Sequence, residues 1–208
     1  MSSDDDLDTA YAIDGAEDAR RRYDDWAGTY DDSFATNWGY VAPRRIAEIF
    51  LDEGGAEAGP VLDIGAGTGL VAQALTGVEI DGIDISGAML ARAGDKGLYR
   101  DRIAADLTAP LDLPDGAYGG FVSSGTFTHG HVGAECLPEL FRIARPGALF
   151  CCGTRPGVYD AMGFGSALAL AQARGEIAPV RFREIAIYEG ATHDHAADTG
   201  LVMVFRKT

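Results

Sequence analysis

Pro60-Val61-Leu62-Asp63-Ile64-Gly65-Ala66-Gly67-Thr68-Gly69 decides the fold of this chain. Its first half is a short apolar run of the kind that fills a strand buried on both faces. Its second half places glycine at alternate positions, and a helical pattern follows at once, with Leu70, Val71, Ala74 and Leu75 on one side. Strand, glycine turn and helix in that order open a parallel sheet covered by helices. Such sheets bind ligands at the carboxyl ends of their strands, beside the point where strand order reverses. Glycines there let the backbone turn with positive φ and let a ligand lie against it. The helix that follows offers unpaired N–H groups.

Outward from this loop the alternation continues. Residues 79–85 form a second predicted strand, leading to a helix with Ser86 as its N-cap and Met89 and Leu90 inside it. Further strands are predicted at 102–105, 119–123, 148–152, 183–188 and 201–205, with a helix at 136–143 closed by Arg145-Pro146-Gly147. Before the loop, 18–34 carries Tyr23, Trp26, Ala27 and Tyr30 at helical spacing. A second helix starts at Pro43, buries Ile46, Ile49 and Phe50, and stops at Gly54-Gly55. Only 189–200 separates the final two strands, too little for a helical crossover, so they are expected to pair as a hairpin. The pattern predicts an α/β fold with a mostly parallel sheet and one antiparallel edge-region strand.

A length of 208 residues favours one domain. There are 32 acidic against 17 basic residues, a net charge of −15. Asp4, Asp5, Asp6, Asp8, Asp14, Glu17 and Asp18 fall in the first 18 residues with no base, so 1–18 reads as a solvated, partly disordered tail. The rest keeps about −8, which argues against nucleic acid or anionic lipid as partner. No apolar stretch has the roughly 18 residues of a membrane span. The N-terminus lacks a secretion signal's basic start and apolar run. Cys136, Cys151 and Cys152 make no disulfide framework, so a cytoplasmic location is expected.

Three carboxylates stand at strand ends. Asp63 precedes the glycine turn, where it can accept from an ammonium group or orient the loop. A dinucleotide pyrophosphate calls for G-x-G-x-x-G, and Leu70 breaks that spacing. Asp84, 21 residues after Asp63, ends the second strand. There it can take two ribose hydroxyls, or serve the next helix as a cap. Asp106 ends the third strand, where it either accepts from an adenine amino group, with Ile85 and Leu107 against the ring, or shapes a turn.

At these residues the chain resembles the class I S-adenosylmethionine-dependent methyltransferases. The matching motifs are Val61-Leu62-Asp63-Ile64-Gly65-Ala66-Gly67-Thr68-Gly69, Gly82-Ile83-Asp84-Ile85-Ser86 with Met89-Leu90, Ala105-Asp106-Leu107, and 140–148 as the late helix-to-strand turn. Tyr23-Asp24-x-Trp26-Ala27-x-x-Tyr30-Asp31 and Tyr40-x-Ala42-Pro43 further resemble the branch related to the Williams–Beuren syndrome region protein. The resemblance implies a Rossmann-like three-layer sandwich with a seven-stranded sheet and S-adenosyl-L-methionine as cofactor. It implies that Gly65, Ala66, Gly67 and Gly69 line the methionine part, beside Asp63. By the same pattern Asp84 holds the ribose, Ile85 and Met89 flank the adenine, and Asp106 and Leu107 meet its far edge. Ser123 would face the sulfonium and Tyr30, in an N-terminal lid at 19–55, would close over the carboxylate. The core would span 60–152, an acceptor-pocket insertion 153–182 with Tyr159, Met162, Phe164 and Leu168, and a terminal hairpin 183–208.

Methyl transfer needs chiefly alignment, and a base only for a protonated acceptor. His129 and His131, after the fourth strand, are the candidate bases. No third ligand at suitable spacing joins them, so no metal is expected. His193 and His195 read as surface residues. The fourth strand lacks the Asn/Asp-Pro-Pro-Tyr motif of enzymes that methylate exocyclic amines, which points to a small-molecule acceptor rather than DNA or RNA. Two alternatives stay open: a non-catalytic protein binding S-adenosylmethionine or S-adenosylhomocysteine, and a NAD(P)-dependent oxidoreductase.

Overall fold

The computed structural model describes residues 15–30, 38–128 and 132–208. Its single sheet has seven strands: β1 (Val61–Ile64), β2 (Ile80–Asp84), β3 (Arg102–Ala104), β4 (Tyr118–Phe127), β5 (Ala144–Thr154), β6 (Arg181–Ala186) and β7 (Thr199–Arg206). They lie in the order β3-β2-β1-β4-β5-β7-β6. β1 pairs in parallel with both β2 and β4, so the order reverses beside it and the carboxyl ends of β1 and β4 adjoin. β7 runs antiparallel to β5 and to β6. The expected hairpin is present; its antiparallel member is β7, one place in from the edge, and the edge strand β6 runs with the others.

The helices are α1 (Ala16–Trp26), α2 (Ala42–Asp52), α3 (Leu70–Ala74), α4 (Gly87–Asp95), α5 (Leu137–Ile143), α6 (Pro156–Ala161) and α7 (Phe164–Ala173). Side chains alternate across a strand, and here both faces are buried. Phe121 and Phe150 enter one core cluster with Leu140 and Phe164, while their neighbours Val122 and Cys151 enter the other with Ile46, Phe50 and Val71. Phe121, Phe150 and Phe205 stack across β4, β5 and β7 at 4.3 and 4.6 Å. The three layers are thus helices, sheet and helices. All three cysteines are free and buried. Among the described residues no helix is long and apolar enough to cross a membrane.

Three boundaries differ from the sequence reading. β4 runs on past Ser123 to Phe127, because Gly125, at φ 82°, lets the strand bulge, seen as a register shift against β5. Arg145-Pro146-Gly147 lies inside β5 instead of closing the helix, again beside a register shift and with Gly147 at φ 83°. α1 begins at Ala16, within the stretch read as tail, and ends at Trp26; residues 1–14 and 31–37 lie outside the described residues.

Candidate functional site

The chain leaves β1 through Gly65, Gly67 and Gly69 at φ 65°, 53° and 91°. A Cβ on Gly65 would overlap the Thr126 hydroxyl and come within 2.9 Å of Thr126 Cβ, whereas one on Gly67 would meet only open space. The loop is therefore packed on one glycine and open at the next. Ser123 and Thr126 both donate to the Ile64 carbonyl at 2.8 Å, pinning the end of β1 to β4.

Asp63 is 1% exposed. Its Oδ2 accepts from the Tyr99 hydroxyl at 2.7 Å, while Oδ1 is buried with no hydrogen-bond partner among the described residues. Burial pushes its pKa from 3.8 up to about 7, against the pull of the Tyr99 hydrogen bond, and the charge of Asp84 adds to the rise. The folded chain then keeps a proton that the unfolded chain has released. The stability this group contributes is whole below about pH 4 and fades as pH rises towards 7. Thermal unfolding of the ligand-free protein should show this: Asp63→Asn lessens the fall in Tm between pH 5 and pH 8. Identical pH profiles for both proteins would mean that Asp63 is already charged when buried.

Asp84 ends β2 and is 8% exposed. Its Oδ2 accepts from Gly67 N–H and its Oδ1 from Ser86 N–H, each at 2.8 Å, so one carboxylate ties the glycine loop to the turn before α4. Burial raises its pKa, opposed by those backbone hydrogen bonds. Ser86 caps α4 as expected, accepting from Met89 N–H at 3.1 Å. Its hydroxyl also donates to Asp24 of α1 at 2.5 Å. Arg92 of α4 donates to the carbonyls of Ala27 and Gly28 at 3.2 Å each. The C-terminal end of α1 is thus fastened to both ends of α4.

These groups adjoin a cavity at the strand ends. Gly65, Gly67, Asp84, Ile85, Met89, Asp106, Leu107 and Tyr30 line it. Asp106 also accepts from Thr108 N–H and Oγ–H at 2.8 and 2.7 Å, so it shapes a turn and faces the cavity at once. Four of the residues singled out in the sequence stand behind the wall. Asp63 is one, and Ala66 donates its N–H to the Ile83 carbonyl at 3.0 Å. Gly69 is covered by Leu98 and Tyr99, and Ser123 is fully buried with its hydroxyl on Ile64. Ser124, one place on, is the serine that lines the cavity. His129 and His131 lie outside the described residues, among which no cluster suited to a metal is found.

A second cavity adjoins the first. Tyr23, Tyr30, Ser124 and Gly125 line both. From the stretch 153–182 only Gly153, Thr154 and Arg155 reach it. Phe164 and Leu168 are instead buried in the core, with Tyr159 and Met162 packed against it. His193 is half-buried, not a surface residue, its ring edge-on to Trp38 and Tyr188 at 4.6 and 4.7 Å. His195 is half-buried too, 3.1 Å from Asp198.

Sequence reasoning passed over Tyr99, Ser124, Tyr40 and Asp24. Asp24 and Tyr40 sat inside quoted motifs without a role, and Ser124 adjoined the serine that was chosen.

Solved structures share this architecture. A SAM-dependent methyltransferase from Aquifex aeolicus is 19% identical with a TM-score of 0.58, over 89% of this chain and 98% of that one. The [4+2]-cyclase SpnF is 17% identical at TM-score 0.66, over 94% and 97%. A protein solved in work on converting a disulfide bond into a thioacetal group during echinomycin biosynthesis is 21% identical at 0.60, over 82% and 84%. At such identities the likeness is one of fold. A comparison with curated protein sequences finds no match. Residues 62–152, from β1 through the glycine loop, Asp84 and Asp106 into β5, match the family model described as methyltransferase domain.

Proposed function

We propose that the protein is an S-adenosylmethionine-dependent methyltransferase acting on a small molecule. The observation that carries this is the carboxylate of Asp84 at the end of β2, held by Gly67 and Ser86 N–H at the rim of the first cavity. A carboxylate has about four acceptor positions, so two backbone N–H bonds leave it capacity for ribose hydroxyls. The other residues fit the same occupant. Gly67 leaves its side of the loop open. Ile85, Met89 and Leu107 give apolar walls for a flat base, with Asp106 at its edge.

When bound, this cofactor supplies an electrophilic methyl group, so the work left to the chain is alignment and exclusion of water. Tyr23 and Tyr30 of the N-terminal segment, and Ser124 and Gly125 of β4, form the part of the wall where an acceptor would approach. The narrower likeness to the Williams–Beuren branch rests on the Tyr23-to-Pro43 motif, of whose described residues Tyr23, Tyr30, Tyr40 and Ala42 line a cavity.

Calorimetric titration with S-adenosylmethionine, S-adenosylhomocysteine and NADH tests the reading. One-site binding of the first two without NADH is the expected result. Binding of NADH alone would turn the assignment to an oxidoreductase. Both methyl-cycle ligands binding with no methylated product from any acceptor screened would support a non-catalytic binder.

A further inference from the structure

We infer, resting on the methyltransferase reading above, that the second cavity is the acceptor site and that it takes an uncharged aromatic molecule bearing a hydroxyl or amino group. The two cavities share Tyr23, Tyr30, Ser124 and Gly125, so a ligand in one faces a ligand in the other across that seam. The walls of the second are rings and aliphatic chains. Tyr40 and Tyr188 stand with centroids 5.8 Å apart and planes tilted by 47°, with Ile46, Ile185 and Leu201 around them. Aromatic faces and edges of this kind favour a ring as partner.

Charge narrows the class. Among the described residues Arg155 is the one lining side chain that carries charge near neutral pH, and no carboxylate lines the cavity. Arg155 is ion-paired to Asp198, which also meets His195 at 3.1 Å. A cationic acceptor finds no counter-charge among the described lining residues. An anionic one must compete with Asp198 for the guanidinium, on a chain of net charge −15.

Polarity at the seam orients the ligand. Thr128 and Thr154 turn their hydroxyls to the carbonyls of Gly125 and Phe127. The Tyr40 and Ser124 hydroxyls, 2.9 Å apart, lie where the second cavity meets the first. An acceptor's hydroxyl or amino group hydrogen-bonded to that pair points its nucleophilic atom at the cofactor cavity, while its ring lies among Tyr188, Ile185 and Leu201. The wall is built before any ligand arrives. Val41 N–H donates to the Ile187 carbonyl at 2.9 Å and Glu189 N–H to the Gly39 carbonyl at 2.8 Å, lacing the segment before α2 onto the chain after β6.

Four matched probes test this by calorimetry, with and without S-adenosylhomocysteine: 2-naphthol, its saturated analogue decahydro-2-naphthol, 2-naphthoate and 2-naphthylmethylammonium. The expected result is one-site binding of 2-naphthol, about tenfold tighter than each of the others. Ile185→Trp and, separately, Leu201→Trp fill the cavity and weaken 2-naphthol by about tenfold or more, with S-adenosylhomocysteine affinity held within about twofold. Two variants guard against one failing to fold. Tighter binding of 2-naphthoate or of 2-naphthylmethylammonium would overturn the charge assignment. Equal binding of decahydro-2-naphthol would overturn the aromatic one. Affinity for 2-naphthol unchanged by both variants, or no probe binding at all, would overturn the site. If 2-naphthol behaves as expected while S-adenosylhomocysteine does not bind, the cofactor reading fails and the aromatic site stands.

Discussion

Asp84→Ala is expected to weaken S-adenosylhomocysteine binding by about 10- to 150-fold. Removing one partner of a charge-assisted hydrogen bond costs about 1.5–3 kcal/mol, and about 1.4 kcal/mol is a factor of ten. Two losses combine. The ribose hydroxyls lose their acceptor, and the N–H groups of Gly67 and Ser86 lose theirs, so the glycine loop is no longer tied to the α4 turn. Asp84→Asn separates the two, since the amide oxygen still accepts one N–H, and its affinity should fall between wild type and Asp84→Ala. Calorimetry on both variants, with Tm as the check on folding, gives the answer. An Asp84→Ala affinity within about twofold of wild type would remove the carboxylate from the cofactor site.

Gly65→Ala and Gly67→Ala should fail in opposite ways although they sit two residues apart. Both positions have positive φ, at 65° and 53°, which costs an L-residue about 1–2 kcal/mol. At Gly65 the new methyl also runs into Thr126, whose hydroxyl holds the Ile64 carbonyl and cannot turn aside without releasing it. Overpacking adds about 1–3 kcal/mol. For a chain near 200 residues the sum is a Tm drop of about 5–15 °C. Gly67→Ala meets no neighbour, so its Tm should fall by only a few degrees. Its methyl instead stands in the cavity, and S-adenosylhomocysteine affinity should fall by at least about tenfold. Thermal unfolding and calorimetry on the pair distinguish them. Equal Tm losses would mean that Thr126 yields freely, and unchanged Gly67→Ala affinity would mean that the ligand does not approach the loop.

What the sequence disclosed was whatever a short window contains. The strand, glycine loop and helix at 60–75, and the carboxylates Asp84 and Asp106 at their strand ends, follow from periodicity and glycine chemistry acting over a few residues. Ser86 as N-cap was legible for the same reason. Pairings set by sheet order were not. Tyr99 reaches Asp63 because β1 and β2 adjoin, and no local signal joins positions 36 apart. Tyr40 meets Ser124 across 84 residues. β4 looked finished at Ser123 because Ser124, Gly125 and Thr126 read as turn residues; a bulge carries the strand through them and moves the cavity-lining serine along by one. The acceptor pocket was expected in 153–182 from the family resemblance, with apolar side chains there to line it. Its apolar side chains have a core to fill, and the second cavity is walled by α2 and the β6–β7 hairpin instead.

The placement of β7 between β5 and β6 sets an order of assembly. β1 to β4 pair among themselves within residues 61–127, so the first cavity can close on contacts of modest sequence separation. β6 pairs with β7, whose other neighbour is β5. Until residues 199–206 have been made, β5 presents an open edge and β6 has no strand to join. Contacts of long separation form late. During synthesis the first cavity therefore takes shape before the second, whose wall waits for the last strand.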